Sequence, residues 1–505
     1  MDALKSLLVK KPFVRVSAKF APQAGVYVNP NEYIPVYDTL AGYHPVSQAD
    51  FVREYYPSGH KINSREYYPD RVQYDPEKKQ YYTQPVVRAA FSFQQMIAIK
   101  HTITLCGNDI QFSLSQSEAD DNTKRIFNDL IAGWETHDME IAWYELVHSA
   151  KVTGDGAVVG YMKDGKFRWK SLSYLNGDTL FPHYDAETGR VNCFLRRFSD
   201  RNEDGTEIVR YVEMWDDRDY YLFRQQRDGI KGLVNKVAES IGLNGYELVN
   251  QAPHGFSSCP VAYIRLDGPC WMFSQNSIEQ YELAFSYLCQ NNMAYAFPIM
   301  YLKGDEIEIS GTPGTDSVKV LNMDSDAEAG FLTPPDGSNF LTTQLTKLYD
   351  MILEQSFVAK PPEVKSGDLP ASAIKLLYSP SIERAMEDSA IYKRALNALV
   401  RTFRFGYGVE TETLSTSMSL PISFYIEPYV HHNDSELINS LATAVGAGFL
   451  SVETATERAR VYSTPQEFDR IMREYKKKQE MDILYQTQPE STPSQTADTT
   501  SNTTE

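Results

Sequence analysis

The side chains best suited to acid–base or metal chemistry are the carboxylates of residues 298–337. Two lysines accompany eight acidic residues there, a net charge of −6. These residues are Lys303, Lys319, Asp305, Glu306, Glu308, Asp316, Asp324, Asp326, Glu328 and Asp336. Paired carboxylates at a fixed separation can hydrolyse glycosidic bonds, and clustered ones can bind Mg²⁺. This stretch is rich in glycine and proline and has no aromatic-lined cleft, so we expect a solvated or partner-binding acidic surface.

Two other patterns are candidates for a chemical site. Gly154–Gly160 has the spacing GxGxxxG, but strand-forming residues follow where a dinucleotide-binding turn needs a helix, so we interpret it as a β-turn. His431 and His432 point in different directions, and Asp434 lies where a helix cap is expected, so we predict no metal site. The sequence has no GxxxxGK[ST], HExxH or GxSxG motif. We therefore expect no catalytic residues, no cofactor and no enzymatic activity.

Charge and cysteine content narrow the class of protein. The chain has 505 residues, 42% of them hydrophobic, which is enough for a folded core. Its net charge of −18 disfavours tight wrapping of DNA, because the surface as a whole repels phosphate. Five scattered cysteines without a CxxC pair predict free thiols in a reducing cytoplasm. The N-terminus lacks a secretory signal and no run of about 18 apolar residues occurs, so we expect neither export nor a membrane span.

Hydrophobic periodicity predicts helices between about residues 85 and 152 and strands from Gly154 onwards. Helices are expected at about residues 85–103 and twice within 120–152. The apolar residues of the last of these helices are Ile141, Tyr144, Leu146 and Val147. From Gly154 to Arg265, short β-rich runs alternate with turns, of which Asp164–Gly165 is typical of a hairpin.

A helix, an irregular insert and a second helix follow. Ser277 and Gln280 match a capping box at the start of the first helix, which should end near Asn292. The insert contains strand-like pieces at Ile307–Ile309 and Val318–Leu321. The second helix has one apolar face: Leu341, Leu345, Leu348 and Ile352. This order is typical of an arm that carries a small module at its tip.

The C-terminal part is predicted to be helical. A long helical stretch should reach about Phe405 and be kinked at Pro380, because proline removes a backbone donor. Its expected buried residues are Ile382, Met386, Leu396, Leu399 and Phe403. Further helix starts are indicated at Asn433, Ser451 and Thr464.

The two ends of the chain differ from the rest in composition. The first 80 residues contain REYYP twice, at Arg53–Pro57 and Arg65–Pro69. Paired tyrosines suit an arm that packs on a neighbouring subunit, and ordinary packing on the same chain is the alternative. Residues 486–505 have almost no apolar side chains and are expected to form a flexible tail.

Four stretches, in this order along the chain, resemble phage portal proteins. Glu145–Asp185 is similar to the family's structural scaffold, and Ser277–Gln355 to its stem helices and the clip between them. Lys365–Lys375, KSGDLPASAIK, resembles the Ser-Gly-x-Ala-Leu-Lys signature after the tunnel loop, although its spacing is longer and includes Pro370. Leu441–Thr454, ending GFLSVET, is similar to a turn near the portal C-terminus.

The resemblance implies an α+β portal fold with a mixed α/β wing, a two-helix stem, a small α/β clip, a long kinked helix and an α-helical crown. The implied domains are an N-terminal arm (1–80), the wing's first part (81–270), a stem helix (271–297), the clip (298–337), a second stem helix (338–356), the tunnel loop (357–370), the kinked helix and the wing's second part (371–430), the crown (431–485) and a disordered tail (486–505).

The resemblance also implies a function. Portal proteins form a dodecameric ring at one capsid vertex of the virion, after assembly in the host cytoplasm. The implied partners are other copies of the chain, the terminase, the head–tail adaptor, the major capsid protein and double-stranded DNA passing without sequence specificity. The residues implied to lie nearest DNA are Lys360, Lys365, Ser366, Gly367 and Asp368. Those implied to face the adaptor or terminase are Asp305, Glu306 and Glu308.

Two alternatives compete with this interpretation. Another virion ring, such as an adaptor, is usually shorter and lacks a paired-helix stem. An acidic carbohydrate-active enzyme would need two carboxylates at a defined separation in an aromatic cleft.

Overall fold

The fold was analysed in a computed structural model. It describes residues 48–75, 78–115, 120–185, 187–201, 207–225, 246–295, 299–303, 307–310, 320–323, 328–332, 338–360, 373, 376–429, 434–459 and 467–486. The expectations for His431 and His432, and for the tail beyond Gln486, lie outside these residues.

The described residues contain both α-helices and β-sheets, and eleven α-helices lie among them. They are α1 (Gln48–Tyr55), α2 (Phe93–Cys106), α3 (Asp121–Thr136), α4 (Met139–Thr153), α5 (Gln275–Tyr295), α6 (Ser338–Gln355), α7 (Ser379–Glu410), α8 (Leu414–Ser419), α9 (Asp434–Gly446), α10 (Val452–Arg458) and α11 (Glu467–Gln486).

The described strands form antiparallel sheets. They are β1 (Arg71–Asp75), β2 (Gln80–Gln84), β3 (Gln111–Leu114), β4 (Asp155–Lys163), β5 (Lys166–Leu172), β6 (Thr179–Tyr184), β7 (Val191–Arg201), β8 (Ile208–Trp215), β9 (Asp219–Gln225), β10 (Tyr246–Pro253), β11 (Val261–Arg265), β12 (Ile299–Lys303), β13 (Ile307–Ser310), β14 (Val320–Met323), β15 (Glu328–Leu332) and β16 (Ile422–Tyr425). One sheet has the order β10-β9-β8-β7-β6 and another β11-β4-β5, and the pairs β1-β2, β3-β16, β12-β15 and β13-β14 complete the set.

Contacts divide the chain into two compact units. The first spans Met1–Pro361 and Leu377–Val430, and the second spans Pro362–Leu376 and His431–Glu505. The described part of the second unit contains α9, α10 and α11.

The largest core of the first unit lies where α4 and α7 meet the β11-β4-β5 sheet. Trp143, Phe167 and Phe403 are almost completely buried there. The ring of Phe167 packs so closely on α7 that a Cβ added to Gly406 would overlap its Cδ2 atom. Only glycine therefore fits at this position without displacing the ring.

Several local predictions are confirmed. α3 and α4 occupy the predicted 120–152 region, and Ser451 caps α10 by accepting a hydrogen bond from the Thr454 amide at 3.1 Å. Asp164 and Gly165 both have positive φ values and join β4 to β5, as a two-residue hairpin turn requires. All five cysteines are free thiols.

Two helix predictions are wrong. The helix predicted from residue 85 begins at Phe93. Ser277 does not start α5, which begins at Gln275, and its hydroxyl donates to Gln355 instead. Pro380 lies in the first turn of α7, where proline is tolerated because first-turn N–H groups have no acceptor within the helix. Residues 376 and 377, just before α7, are also helical, and the kink at Pro380 stays a prediction.

The apolar residues of α4 and α7 differ in exposure, and one of them, Met386, was predicted to be buried. Ile141 and Tyr144 of α4 are 52% and 39% exposed, whereas Leu146 and Val147 are fully buried. Met386 of α7 is 61% exposed. Within the described residues, no helix is both long and apolar enough to cross a membrane.

Candidate functional site

The predicted helix, insert and helix are present as α5, four strands among the described residues of the insert, and α6. The Ser277 hydroxyl near the start of α5 donates to Gln355 Oε1 at the end of α6, at 2.9 Å, so the helices run antiparallel. Ile278 and Ile352 are fully buried between them. Phe93 of α2 packs edge-on against Tyr281 of α5, which fixes the pair to the rest of the first unit.

The strands between these helices are nested. β12, which follows α5, pairs with β15, which precedes α6, and β13 pairs with β14 inside this connection. Glu308 lies in β13 opposite Asn322, whereas Asp305 and Glu306 lie outside the described residues. The sequence predicted β13 and β14 but not the outer pair β12 and β15.

An irregular segment at residues 87–91, which we call the strap, is bound along α5. The amides of Val87, Ala89 and Phe91 donate to Gln290, Ser286 and Glu282 of α5, respectively. The three distances are 3.1, 3.0 and 2.8 Å.

The spacing of these hydrogen bonds explains the fit of the strap. The acceptors recur every four residues of a helix, a rise of about 6 Å, and the donors recur every two residues, about 6.6 Å if the chain is extended. Since residue numbers rise along the strap as they fall along α5, the two segments run antiparallel. Residues 85–91, predicted to be helical, are held out of a helix by this side-chain ladder.

A buried ion pair lies at one end of the ladder. His60 Nδ1 lies 2.6 Å from Glu282 Oε1, and both side chains are 2% exposed. His60 Nε2 contacts the Glu54 carbonyl oxygen at 2.7 Å. Burial lowers the pKa of His60, but the hydrogen bond and charge of Glu282 outweigh it, so the pKa is raised. Glu282 thus binds both the imidazole of His60 and the Phe91 amide.

The two REYYP copies pack on this region of their own chain. Tyr55 of the first copy stacks on Trp271, just before α5, with ring centroids 5.8 Å apart. Tyr68 of the second copy meets Tyr287 of α5 edge-on at 5.3 Å. These contacts favour the second interpretation of the repeats, packing within one chain.

The end of α6 and the start of α7 are tied together on either side of residues 361–372. The Ser381 hydroxyl donates to the Phe357 carbonyl oxygen at 2.9 Å and accepts from the Ala359 amide at 3.2 Å. His101 of α2 contacts the Ser356 carbonyl oxygen through Nε2 at 2.6 Å. The described residues on either side of 361–372 are therefore held together as a fixed base, and the predicted tunnel loop (357–370) begins among them.

Buried charges lie beneath this base. Lys151 of α4 donates to Asp388 of α7, and the two side chains are 1% and 6% exposed. Arg384 Nη2 is 3.3 Å from the other oxygen of Asp388. Burial, helped by the charge of Lys151, lowers the pKa of His101 to about 3. His101 is therefore neutral and donates its Nε2 proton to Ser356.

The structure describes only part of the predicted channel site. Lys360 is exposed and forms an ion pair with Asp350 at 2.9 Å. Lys365, Ser366, Gly367 and Asp368 lie outside the described residues.

The other predicted chemical sites have ordinary structural roles or no counterpart. Gly154 has a φ of 80° and caps the end of α4, and β4 follows directly. No group of three or more histidine, cysteine or carboxylate side chains is placed to hold a metal ion in the described part of the chain.

Sequence reasoning missed the strap ladder and the Lys151–Asp388 pair. A signal for the ladder was present, because Glu282, Ser286 and Gln290 form a polar i, i+4, i+8 row on a helix packed by aromatic residues. No local signal marks Lys151 as buried, since its partner is 237 positions away in the chain.

The chain was compared with models of known protein families and with curated proteins. The family model described as phage portal protein, SPP1 Gp6-like, matches residues 43–481, most of the chain. No curated protein matches the chain.

Proposed function

The chain belongs to the SPP1 Gp6-like phage portal proteins, oligomeric connectors of the phage capsid, and on this premise we propose that it forms a dodecameric ring at one capsid vertex. The ring is the channel through which the genome is packaged and later ejected. Terminase docks on it during packaging, and a head–tail adaptor replaces terminase afterwards. The virion is its final location, and assembly takes place in the host cytoplasm.

The observation that carries the proposal is the antiparallel pair α5 and α6 with its nested strands at one end, inside the matched region. We assign α5 and α6 to the stem and β12–β15 to the clip, within the domain limits given above. Asp305, Glu306 and Glu308 of the clip then face the docking partners. The acidic charge of residues 298–337 favours a partner surface with basic residues.

Residues 357–370 are assigned to the tunnel loop, with Lys360, Lys365, Ser366, Gly367 and Asp368 nearest DNA. The fixed base formed by Ser356, Phe357 and Ser381 supports this assignment, because a loop that contacts moving DNA needs a rigid origin. The overall charge of −18 is consistent with a wall that does not hold DNA tightly.

Packaging assays test the channel assignment. Lys365→Glu should reduce the amount of packaged DNA without reducing ring formation, because it reverses a charge facing phosphate. Lys393→Glu is the control, since Lys393 is an exposed lysine on α7 outside the proposed loop. Equal packaging by Lys365→Glu and wild-type protein would contradict a channel-lining role for Lys365.

A further inference from the structure

The β1-β2 hairpin exposes its apolar face. Val72 pairs with Thr83 and Tyr74 with Tyr81, so these four side chains share one face, and Gln73 and Tyr82 lie on the other. Val72, Tyr74 and Tyr81 are 68%, 51% and 76% exposed. Antiparallel sheets normally bury their apolar face, and a two-stranded hairpin alone is marginally stable in water. The hairpin thus carries the features of a surface that a partner covers.

A second uncovered apolar surface lies on α2 and α4, which pack against each other. Ile99 and Ile103 of α2 are 42% and 39% exposed, and Ile141 and Tyr144 of α4 are 52% and 39% exposed. The two helices contact each other where Thr102 Oγ1 lies 3.4 Å from His148 Nδ1, and the half-exposed Tyr144 ring stacks on His148. Both helices have apolar residues on all sides, a composition typical of buried helices.

We propose that the apolar face of the β1-β2 hairpin of one subunit packs on the α2-α4 surface of the next subunit. The proposal rests on the proposed ring. Two different surfaces of one chain that fit each other produce a head-to-tail contact, which closes into a ring when the rotation between copies allows it. A self-complementary contact of either surface alone would stop at a dimer.

The strap gives the hairpin a defined direction. β2 ends at Gln84, and the strap hydrogen bonds to α5 begin at Val87. The Val86 amide also donates to Asp70 at 3.2 Å, on the other side of the hairpin. Both ends of the hairpin are therefore fixed, and its tyrosines are positioned before the next subunit arrives, which lowers the entropic cost of docking.

Disulfide cross-linking tests the contact directly. The double variant Tyr81→Cys with Ile141→Cys should give a ladder of covalent multimers under mild oxidation, and each single variant should give none. The native cysteines provide a constant background in all three proteins. Rings without a ladder in the double variant would overturn the proposed pairing.

Assembly measurements provide a second test that does not depend on cross-linking. Tyr74→Ser with Tyr81→Ser, and Ile141→Ser with Tyr144→Ser, should each raise the protein concentration at half assembly by about tenfold or more, as expected for loss of interface anchor residues. Tyr425→Ser is the matched control, because Tyr425 is 62% exposed on another strand of the same unit.

The outcomes separate the two proposals. If both double variants assemble like wild type, the hairpin contact is wrong and the ring proposal stands. A wild-type chain that forms no oligomer at any concentration overturns both.

Discussion

Glu282 should contribute more to stability than a neighbouring glutamate of the same helix. Its Oε1 atom binds both His60 and the Phe91 amide, at 2.6 and 2.8 Å. Glu282→Ala removes one partner of a buried ion pair, so we expect a loss of about 3–5 kcal/mol. Glu282→Gln keeps an acceptor for the Phe91 amide and loses only the charge-assisted bond, about 1.5–3 kcal/mol.

The matched control is Glu279→Gln. Glu279 lies three residues earlier in α5 and pairs with Lys61 at 2.8 Å, but the Lys61 side chain is 51% exposed. Solvent screens such a pair, so the same substitution should cost about 0–1 kcal/mol.

The effect of Glu282→Gln should also depend on pH. Because the pKa of His60 is raised in the folded chain, its contribution to stability is complete below its ordinary value of about 6.5 and is lost as pH rises through the raised value. The difference between wild type and Glu282→Gln should therefore be larger near pH 6 than near pH 9, roughly the range over which the histidine titrates.

Hydrogen exchange is the suitable assay because the chain has more than one compact unit and a single unfolding transition is not expected. Exchange of the Val87, Ala89 and Phe91 amides reports opening of the strap, and urea unfolding reports the whole unit. Equal effects of Glu279→Gln and Glu282→Gln, or the same difference at both pH values, would refute the reasoning.

Two further predictions concern packing, the first within the first unit and the second a contrast between a glycine of the first unit and a glycine of the second. Lys151→Met should lower the free energy of unfolding by about 3–5 kcal/mol, because Asp388 loses its buried partner Lys151. The double variant Lys151→Met with Asp388→Leu should recover most of that loss in urea unfolding. No recovery in the double variant would contradict a charge-based cause. Gly406→Ala should cost about 1–3 kcal/mol because its Cβ meets Phe167, whereas Gly446→Ala, with no atom within 4 Å, should be neutral or stabilising by about 0.5–1 kcal/mol. The shift in melting temperature of the unit that contains each glycine checks this contrast, and equal shifts in the two variants would contradict it.

The sequence predicted the elements whose signals are local. Ser451 was predicted as a helix cap because its hydroxyl can reach an amide three residues later, and it does so. Asp164 and Gly165 were predicted as a hairpin turn because both tolerate positive φ values. Such features depend on a few adjacent residues and survive in the folded chain.

The wrong predictions depend on distant partners. The strap was predicted to be helical, yet its amides bond to side chains of α5 about 200 positions away, which single-sequence periodicity cannot detect. Met386 was predicted to be buried because it lies on the apolar stripe of a helix, yet it is 61% exposed, because the buried side of α7 is set by the distant elements that pack against it.

The most direct test of the proposed function is the mass and symmetry of the purified protein, measured by light scattering together with negative-stain imaging. A portal ring predicts twelve-fold particles with a central hole and a mass of twelve chains. A strictly monomeric protein under every assembly condition would contradict the proposal.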